Sequence, residues 1–393
     1  MIKVLRIINR FNLGGPTYNA TYLTAYLSDE FETKLIGGKH EESEGASSFI
    51  PEKHGVSYEI VEEMQREISL IADKKALKKV RAIIREFKPD IVHTHASKAG
   101  FLGRVAAYRE GVPVIVHTFH GHVFHSYFGK LKTMTFKKIE RFLAKKSDAI
   151  VAISELQKKE LSEVHKIAES SKFEVIPLGF DLDRFQEDRK SRRNAFRSKY
   201  NLKDEEVAIG IIGRLTAIKN HQLLFDAIQS IYSGLNQPIR VFVIGDGELM
   251  EELKAHAGQI ESKIGEKIFV FTSWIKEIEK VLPGLELVCL SSLNEGTPVS
   301  LIEAQAAGIP VISTNVGGVA NVIDHDKTGV IVDSFEPKQY GKAVLSLVNS
   351  EENRLKMSQN GWIHVKDKFH YLRLCEDMEQ LYKKLLKEKG KLA

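Results

Sequence analysis

Glu295 and Glu303 stand eight positions apart in Leu293-Asn-Glu-Gly-Thr-Pro-Val-Ser-Leu-Ile-Glu-Ala-Gln-Ala-Ala-Gly308. An apolar run, Leu285–Leu290, leads into this stretch, and a helical pattern ending at Gly308 leads out of it. Glu295 therefore falls on the loop beyond a strand's carboxyl end, and Glu303 inside the following helix. Pro298 sits near the first turn, where a missing N–H costs nothing. In an open α/β sheet, ligands sit at such a strand-to-helix crossing. Unpaired backbone N–H groups of Gly296, Thr297 and Val299 favour a phosphate there. Carboxylates above and below a phosphate can accept hydrogen bonds from sugar hydroxyls, which suits a nucleotide-sugar. A bare Glu-x7-Glu spacing is common between surface residues; its loop-to-helix setting gives it weight.

A second segment supplies positive charge. Gly210-Ile-Ile-Gly-Arg-Leu-Thr-Ala-Ile-Lys-Asn220 opens another strand-to-helix turn. Gly213 permits close approach of the backbone, while Arg214 and Lys219 flank an anion as a guanidinium fork and a point charge. That pair suits a diphosphate leaving group, on which negative charge grows as a glycosidic bond breaks. Near the amino terminus, Gly14 and Gly15 of Asn12-Leu-Gly-Gly-Pro-Thr-Tyr18 either make a tight turn or open main-chain donors to a ligand. The segment is no Gly-x-Gly-x-x-Gly fingerprint and no acidic residue follows at ribose spacing, which disfavours a nicotinamide cofactor.

Histidines cluster as His93-Thr-His95 and His117-Thr-Phe-His-Gly-His-Val-Phe-His125. No cysteine or carboxylate pattern completes a metal set. One or two of these imidazoles are expected to meet sugar hydroxyls, the rest being structural. Asp181-Leu-Asp183, Asp324-His-Asp326 and Gly245-Asp-Gly247 read as turn formers rather than metal-binding acids.

The elements that must position these residues alternate along the chain. Strands are predicted at Val4–Ile8, Lys34–Ile36, Ile91–His93, Val114–Thr118, Ala149–Ala152 and Glu174–Ile176, with helices between them. Ser154 and Gln157 form a capping box. Residues 179–190 read as a linker. The scheme then repeats, with strands Val207–Ile212, Arg240–Ile244, Ile268–Phe271, Leu285–Leu290, Val311–Thr314 and Val330–Val332. Such alternation argues for two parallel sheets covered on both faces and enclosing a cleft. A last helical pattern, Leu372–Lys387, is expected to pack back on the first domain. The expected domains are 1–178 with 371–393, and 191–370.

With 393 residues, 43% of them apolar and 28% charged, the chain fits two globular domains. Its two cysteines, Cys289 and Cys375, make no disulfide framework and point to a reducing compartment. No apolar run approaches the roughly 20 residues of a membrane span, and Met1–Asn9 reads as a first strand rather than a secretory signal. A cytoplasmic protein is expected. Lys and Arg outnumber Asp and Glu by six in residues 1–180 and fall one short in the rest. Lys130, Lys132, Lys137, Lys138, Arg141, Lys145 and Lys146 crowd one helix, opposed by Glu140 alone, with Phe136, Ile139, Phe142 and Leu143 as an apolar stripe. That helix reads either as a core-facing stripe with a solvated back or as a surface for anionic lipid or an anionic acceptor. Nucleic acid is disfavoured, because no binding module accompanies the charge.

Gly213-Arg-Leu with Lys219, the Glu295–Glu303 segment, Ala306-Ala-Gly-Ile-Pro-Val-Ile312, and Gly317-Gly318 followed by Lys327-Thr-Gly329 together resemble glycosyltransferase family 4. Thr118–Phe128 resembles the bacterial members that build capsules, exopolysaccharides and lipopolysaccharides. The resemblance implies a GT-B fold: two Rossmann-like domains facing across a cleft, the first for the acceptor and the second for the donor, with a final helix crossing back. It implies retention of anomeric configuration, no metal and no other cofactor. Arg214 and Lys219 match the diphosphate-binding pair, Glu295 the acid near the reacting carbon, and Glu303 the acid on the ribose. Gly296, Thr297, Pro298 and Val299 match the phosphate cradle, Gly14 and Gly15 a glycine loop facing the phosphates, and His120 a histidine that approaches the transferred sugar. Asn321 departs from the glutamate often found after the Gly-Gly pair. The expected partners are a nucleotide-sugar, a UDP-sugar before a GDP-sugar such as GDP-mannose, and a saccharide or lipid-linked saccharide at the inner face of a membrane. Alternatives on similar architectures are a sugar-nucleotide 2-epimerase, a pyridoxal-dependent phosphorylase and a sugar-binding protein.

Overall fold

The apolar runs become parallel strands in two separate sheets. The computed structural model describes residues 1–11, 15–39, 49–65, 69–120 and 130–392. The first sheet holds β1 (Ile2–Arg10), β2 (Phe31–Gly38), β3 (Tyr58–Ile60), β4 (Ile91–His95), β5 (Val114–Phe119), β6 (Ala149–Ala152) and β7 (Phe173–Val175), in the order β3-β2-β1-β4-β5-β6-β7. The second holds β8 (Val207–Ile212), β9 (Ile239–Ile244), β10 (Phe269–Ser273), β11 (Leu287–Leu290), β12 (Val311–Thr314) and β13 (Gly329–Val332), in the order β10-β9-β8-β11-β12-β13. Every strand pair is parallel. Parallel strands need crossovers, and helices supply them on both faces. That burial explains why Val207–Ile211 and Leu287–Leu290 are apolar without alternation.

In both sheets the strand order reverses once, between β1 and β4 and between β8 and β11. Loops leaving such neighbours diverge, which opens a crevice beyond their carboxyl ends. The loop after β8 carries Gly213, Arg214 and Lys219; the loop after β11 carries Glu295. The topology thus sets the basic segment and the acidic segment on the two sides of one crevice.

The chain forms two compact units, Met1–Phe180 with Phe369–Ala393, and Asp181–Lys368. The final helix, Tyr371–Glu388, belongs to the first of them. Leu374, Met378, Leu381 and Leu385 follow helical spacing and are buried against Val4, Leu23, Ile91 and Val114. Each such side chain contributes about 1.5–3 kcal/mol on leaving water. Backbone bonds from Phe180 to Phe369 (2.8 Å) and from Tyr371 to Phe180 (3.1 Å) join the returning chain to the place where it first left this unit.

Several expectations need correction. Residues 181–190 are no free linker: Leu182 and Phe185 are buried, Gln186 Nε2 bonds the carbonyl of Ala306, and a helix begins at Arg189. In that helix, Arg193 and Arg197 reach Glu286 at 2.5 and 3.1 Å. The Ser154 hydroxyl accepts from Gln157 N at 3.1 Å, but Gln157 Oε1 returns to the N–H of Ile153 (2.9 Å) rather than to Ser154. Glu140 does not oppose the basic face of its helix, Lys130–Ala144. It turns inward and meets Arg104 at 2.6 Å, with the two side chains 4% and 0% exposed. Nor is the apolar stripe of that helix all core: Leu143 is buried, while Phe142 is 57% exposed. No helix among the described residues is long and apolar enough to cross a membrane.

Candidate active site

Lys219 and Glu295 meet in the second unit. Their Nζ and Oε1 lie 2.5 Å apart, with side chains 25% and 9% exposed. Two short loops bring them together. After β8 the chain passes through a single 3-10 turn, Ala217–Lys219, and Asn220 takes a left-handed φ of 47° before helix His221–Ile231 starts. The stem of Lys219 lies over Gly213, where an added Cβ would be 3.5 Å from its Cε. Gly213 itself rests on Gly245, whose φ is 153° and where any side chain would overlap the Gly213 carbonyl oxygen. The Gly245-Asp-Gly247 turn thus supports the basic loop from below. Arg214 is exposed on this loop.

The loop after β11 is tied directly to the first. Leu293 N donates to Ile218 O at 2.8 Å, and the Ser291 hydroxyl donates to the carbonyls of Lys219 and Asn220. The Ser292 hydroxyl donates to Glu295 Oε1 at 2.6 Å, so this carboxylate has two donors on one oxygen. From the other side, Gly318 N donates to the Glu295 carbonyl at 3.1 Å. Gly317, at φ 51°, and Gly318 lie against the carbonyls of Glu295 and Gly296, where a Cβ would overlap. The Gly-Gly pair is thus the back wall of the glutamate loop.

Pro298 caps helix Val299–Ala306 without a side-chain cap bond. The backbone N–H groups of Gly296, Thr297 and Val299 have no acceptor among the described residues. Open donors at a helix start, beside an ammonium, make an anion site. Glu303 follows on the same helix, with a side chain 18% exposed and Arg184 Nη2 at 3.3 Å. Burial pushes its carboxyl up to about 7; Arg184 opposes that shift and Glu279 adds to it.

The first unit places the histidines at the ends of β4 and β5. His93 is fully buried, its Nδ1 bonded to Tyr382 Oη of the returning helix (2.6 Å) and its Nε2 to Thr118 Oγ1 (2.7 Å). His117 Nδ1 meets Thr94 Oγ1 at 2.8 Å. His95 Nδ1 meets His120 Nε2 at 2.8 Å, and His120 Nδ1 is buried without a partner among the described residues. Burial lowers His120 to about 4, so this imidazole is neutral near pH 7. A neutral ring with one nitrogen engaged offers the other to a hydroxyl as donor or acceptor, according to tautomer. Gly15 begins helix Gly15–Ala25 with open space where a Cβ would stand; Gly14, His122 and His125 lie outside the described residues.

The structure brings Gly213, Lys219, Glu295, Gly296, Thr297, Pro298 and Val299 into one neighbourhood of the second unit. Glu303 follows down the helix. Sequence reasoning missed Ser292 and Arg184. A serine directly before the Leu293–Gly308 segment was a usable signal for the first; nothing local marks the second.

Comparison with known proteins agrees with this geometry. Residues 14–184 match the profile described as Glycosyltransferase Family 4, and residues 192–362 match Glycosyl transferases group 1. The chain is 31% identical, over 81% of its length and 81% of the relative's, to the UDP-Gal:alpha-D-GlcNAc-diphosphoundecaprenol alpha-1,3-galactosyltransferase of Escherichia coli. It is 28% identical to the capsular polysaccharide biosynthesis glycosyltransferase CapM of Staphylococcus aureus, over 83% of this chain and 84% of that one. Among solved structures, Anabaena HepE in complex with UDP superposes with a TM-score of 0.79 at 17% identity, covering 97% of this chain and 99% of that one. The chain belongs to glycosyltransferase family 4, with two Rossmann-like parallel-sheet domains of the GT-B type.

Proposed function

We propose that the protein transfers a hexose or N-acetylhexosamine from a UDP-sugar to a saccharide or lipid-linked saccharide in bacterial surface polysaccharide synthesis. The observation that carries this reading is the Lys219–Glu295 pair beside the open N–H groups of Gly296, Thr297 and Val299. The ammonium, the Arg214 guanidinium and those N–H groups neutralise the departing diphosphate in place of a cation. Glu295 positions the donor sugar and stabilises positive charge near its reacting carbon. Glu303 accepts from the ribose hydroxyls. His120 meets a hydroxyl of the transferred sugar.

The reaction proceeds with retention. The bond from the anomeric carbon to the donor phosphate oxygen breaks, the acceptor oxygen attacks the same face, and the released phosphate oxygen takes the acceptor's proton. Glu295 is then an electrostatic group and not a covalent nucleophile, unlike the paired acids of a retaining glycosidase. The names of the Escherichia coli and Staphylococcus aureus relatives favour a surface-polymer acceptor, and the former, with HepE, favours uridine. Phe142 and Met134, 57% and 56% exposed beside Lys137 and Lys138, favour peripheral attachment to an anionic bilayer. Arg141 takes no part in that, being bonded to the carbonyls of His165 and Lys166.

A thermal-shift comparison of UDP and GDP tests the donor. A ligand at about 100 times its Kd stabilises the folded state by about 2.7 kcal/mol, or several degrees for a domain of this size. UDP is expected to raise Tm and GDP to leave it nearly unchanged. A larger shift with GDP assigns a guanosine donor instead.

A further inference from the structure

Glu303 is held by a side chain that the donor-site reading does not use. Arg184 lies in the turn Asp183–Phe185, just after the chain enters the second unit. Its guanidinium is set between two carboxyls, 3.3 Å from Glu303 Oε1 and 3.9 Å from Glu279 Oε2, and sits 4.8 Å from the centroid of the Phe185 ring. Phe185 is fully buried, which anchors the turn. The charged groups acting on Glu303 are therefore Arg184 from this turn and Glu279 from the turn Ile278–Lys280. They act in opposite directions.

We propose that Arg184 is a positioning residue for nucleotide binding, drawing Glu303 towards its ionised form and aiming it so that both of its oxygens accept from the ribose hydroxyls. The inference rests on the reading of Glu303 as the ribose-holding acid. Two ribose hydroxyls donate best to an ionised carboxylate; a protonated one spends an oxygen as a donor. Burial and Glu279 already raise Glu303 to about 7, against the pull of Arg184. Without the guanidinium, the carboxyl stays protonated at neutral pH and ionises only in more alkaline solution. Nucleotide binding by such a variant is therefore poor at pH 7 and recovers as pH rises.

The test is calorimetric titration of the whole protein with UDP between pH 7 and pH 9, each variant taken as a ratio to the parent so that titration of the phosphate cancels. Arg184→Met is expected to bind UDP about tenfold more weakly at pH 7, the loss of one charge-assisted hydrogen bond, and to recover most of that by pH 9. Arg184→Lys stays close to the parent. Arg184→Met with Glu303→Gln binds no more weakly than Glu303→Gln alone, and the deficit of Glu303→Gln grows by about twofold at most towards pH 9, as the parent's own Glu303 finishes ionising. An Arg184→Met deficit equal at pH 7 and pH 9, or one that adds to Glu303→Gln, overturns the proposal and leaves Arg184 a structural residue. If Glu303→Gln binds like the parent while Lys219→Met does not, the ribose role of Glu303 is what fails. If neither variant changes UDP binding, the donor site itself has been misassigned.

Discussion

Lys219→Met is expected to lower the rate of sugar transfer by about 10²–10³-fold, the loss seen when one preorganised electrostatic donor is removed from a site of developing negative charge. UDP affinity should fall less, by about 10–100-fold, the value of a charged hydrogen bond of roughly 1.5–3 kcal/mol. The two losses differ because negative charge on the diphosphate grows as the glycosidic bond breaks, and the ammonium gains with it. Glu295→Gln separates the partners of the pair. It leaves the ammonium free for phosphate, so UDP binding is kept or strengthened, while kcat falls because the positive charge near the anomeric carbon has lost its counterpart. Initial rates over a range of donor concentrations, with calorimetry for UDP, check both. A Glu295 variant that loses UDP binding but keeps kcat reverses the assignment.

Glu140→Leu is expected to destabilise the first unit by about 3–5 kcal/mol, since it strands the fully buried Arg104 guanidinium. Arg104 keeps its bond from Nε to Gly100 O, at 2.8 Å, but loses its one carboxylate among the described residues. Nη1 is buried and already without a partner among the described residues, so it cannot take up the loss. Urea unfolding followed by a probe in the first unit measures the change. Arg104→Met with Glu140→Leu is expected to recover most of the loss, because two apolar side chains replace a buried pair at little cost. If the double variant is no better than the single one, packing and not charge sets the effect. Lys138, exposed on the same helix, should tolerate alanine with under about 0.5 kcal/mol change.

The difference between those positions also shows where the sequence can and cannot be read. Helical spacing puts Glu140 among lysines, and composition alone makes it one acid in a basic face. Only the fold reveals that it points towards Arg104, 36 residues away. Both sheets were legible because a strand buried on both faces must be apolar throughout, as Val288, Cys289 and Leu290 are. Half-buried pieces were not. β3 is three residues at a sheet edge, and β2 reaches out to Phe31 through Glu32 and Thr33, which carry no apolar signal.

Helix Arg189–Lys199 was hidden for a related reason. Phe196 is its one buried apolar side chain, Ala195 beside it being exposed, so no period stands out. Ion pairs from Arg193 and Arg197 to Glu286 hold it against the second unit instead. At the candidate site, Glu295 and Lys219 could be chosen because each sits on a loop leaving a strand. Their 2.5 Å approach depends on β8 and β11 being neighbours, which no local pattern states. Arg184 lies 119 residues from Glu303 in a segment that reads as a connector, so its role was invisible without coordinates.

The most direct measurement is a crystal structure of the protein grown with UDP. Diphosphate density is expected within hydrogen-bond reach of Lys219 Nζ and of the N–H groups of Gly296, Thr297 and Val299, with the ribose hydroxyls on Glu303. UDP bound elsewhere on the chain, with the Lys219–Glu295 pair untouched, would contradict the assignment of this crevice as the donor site.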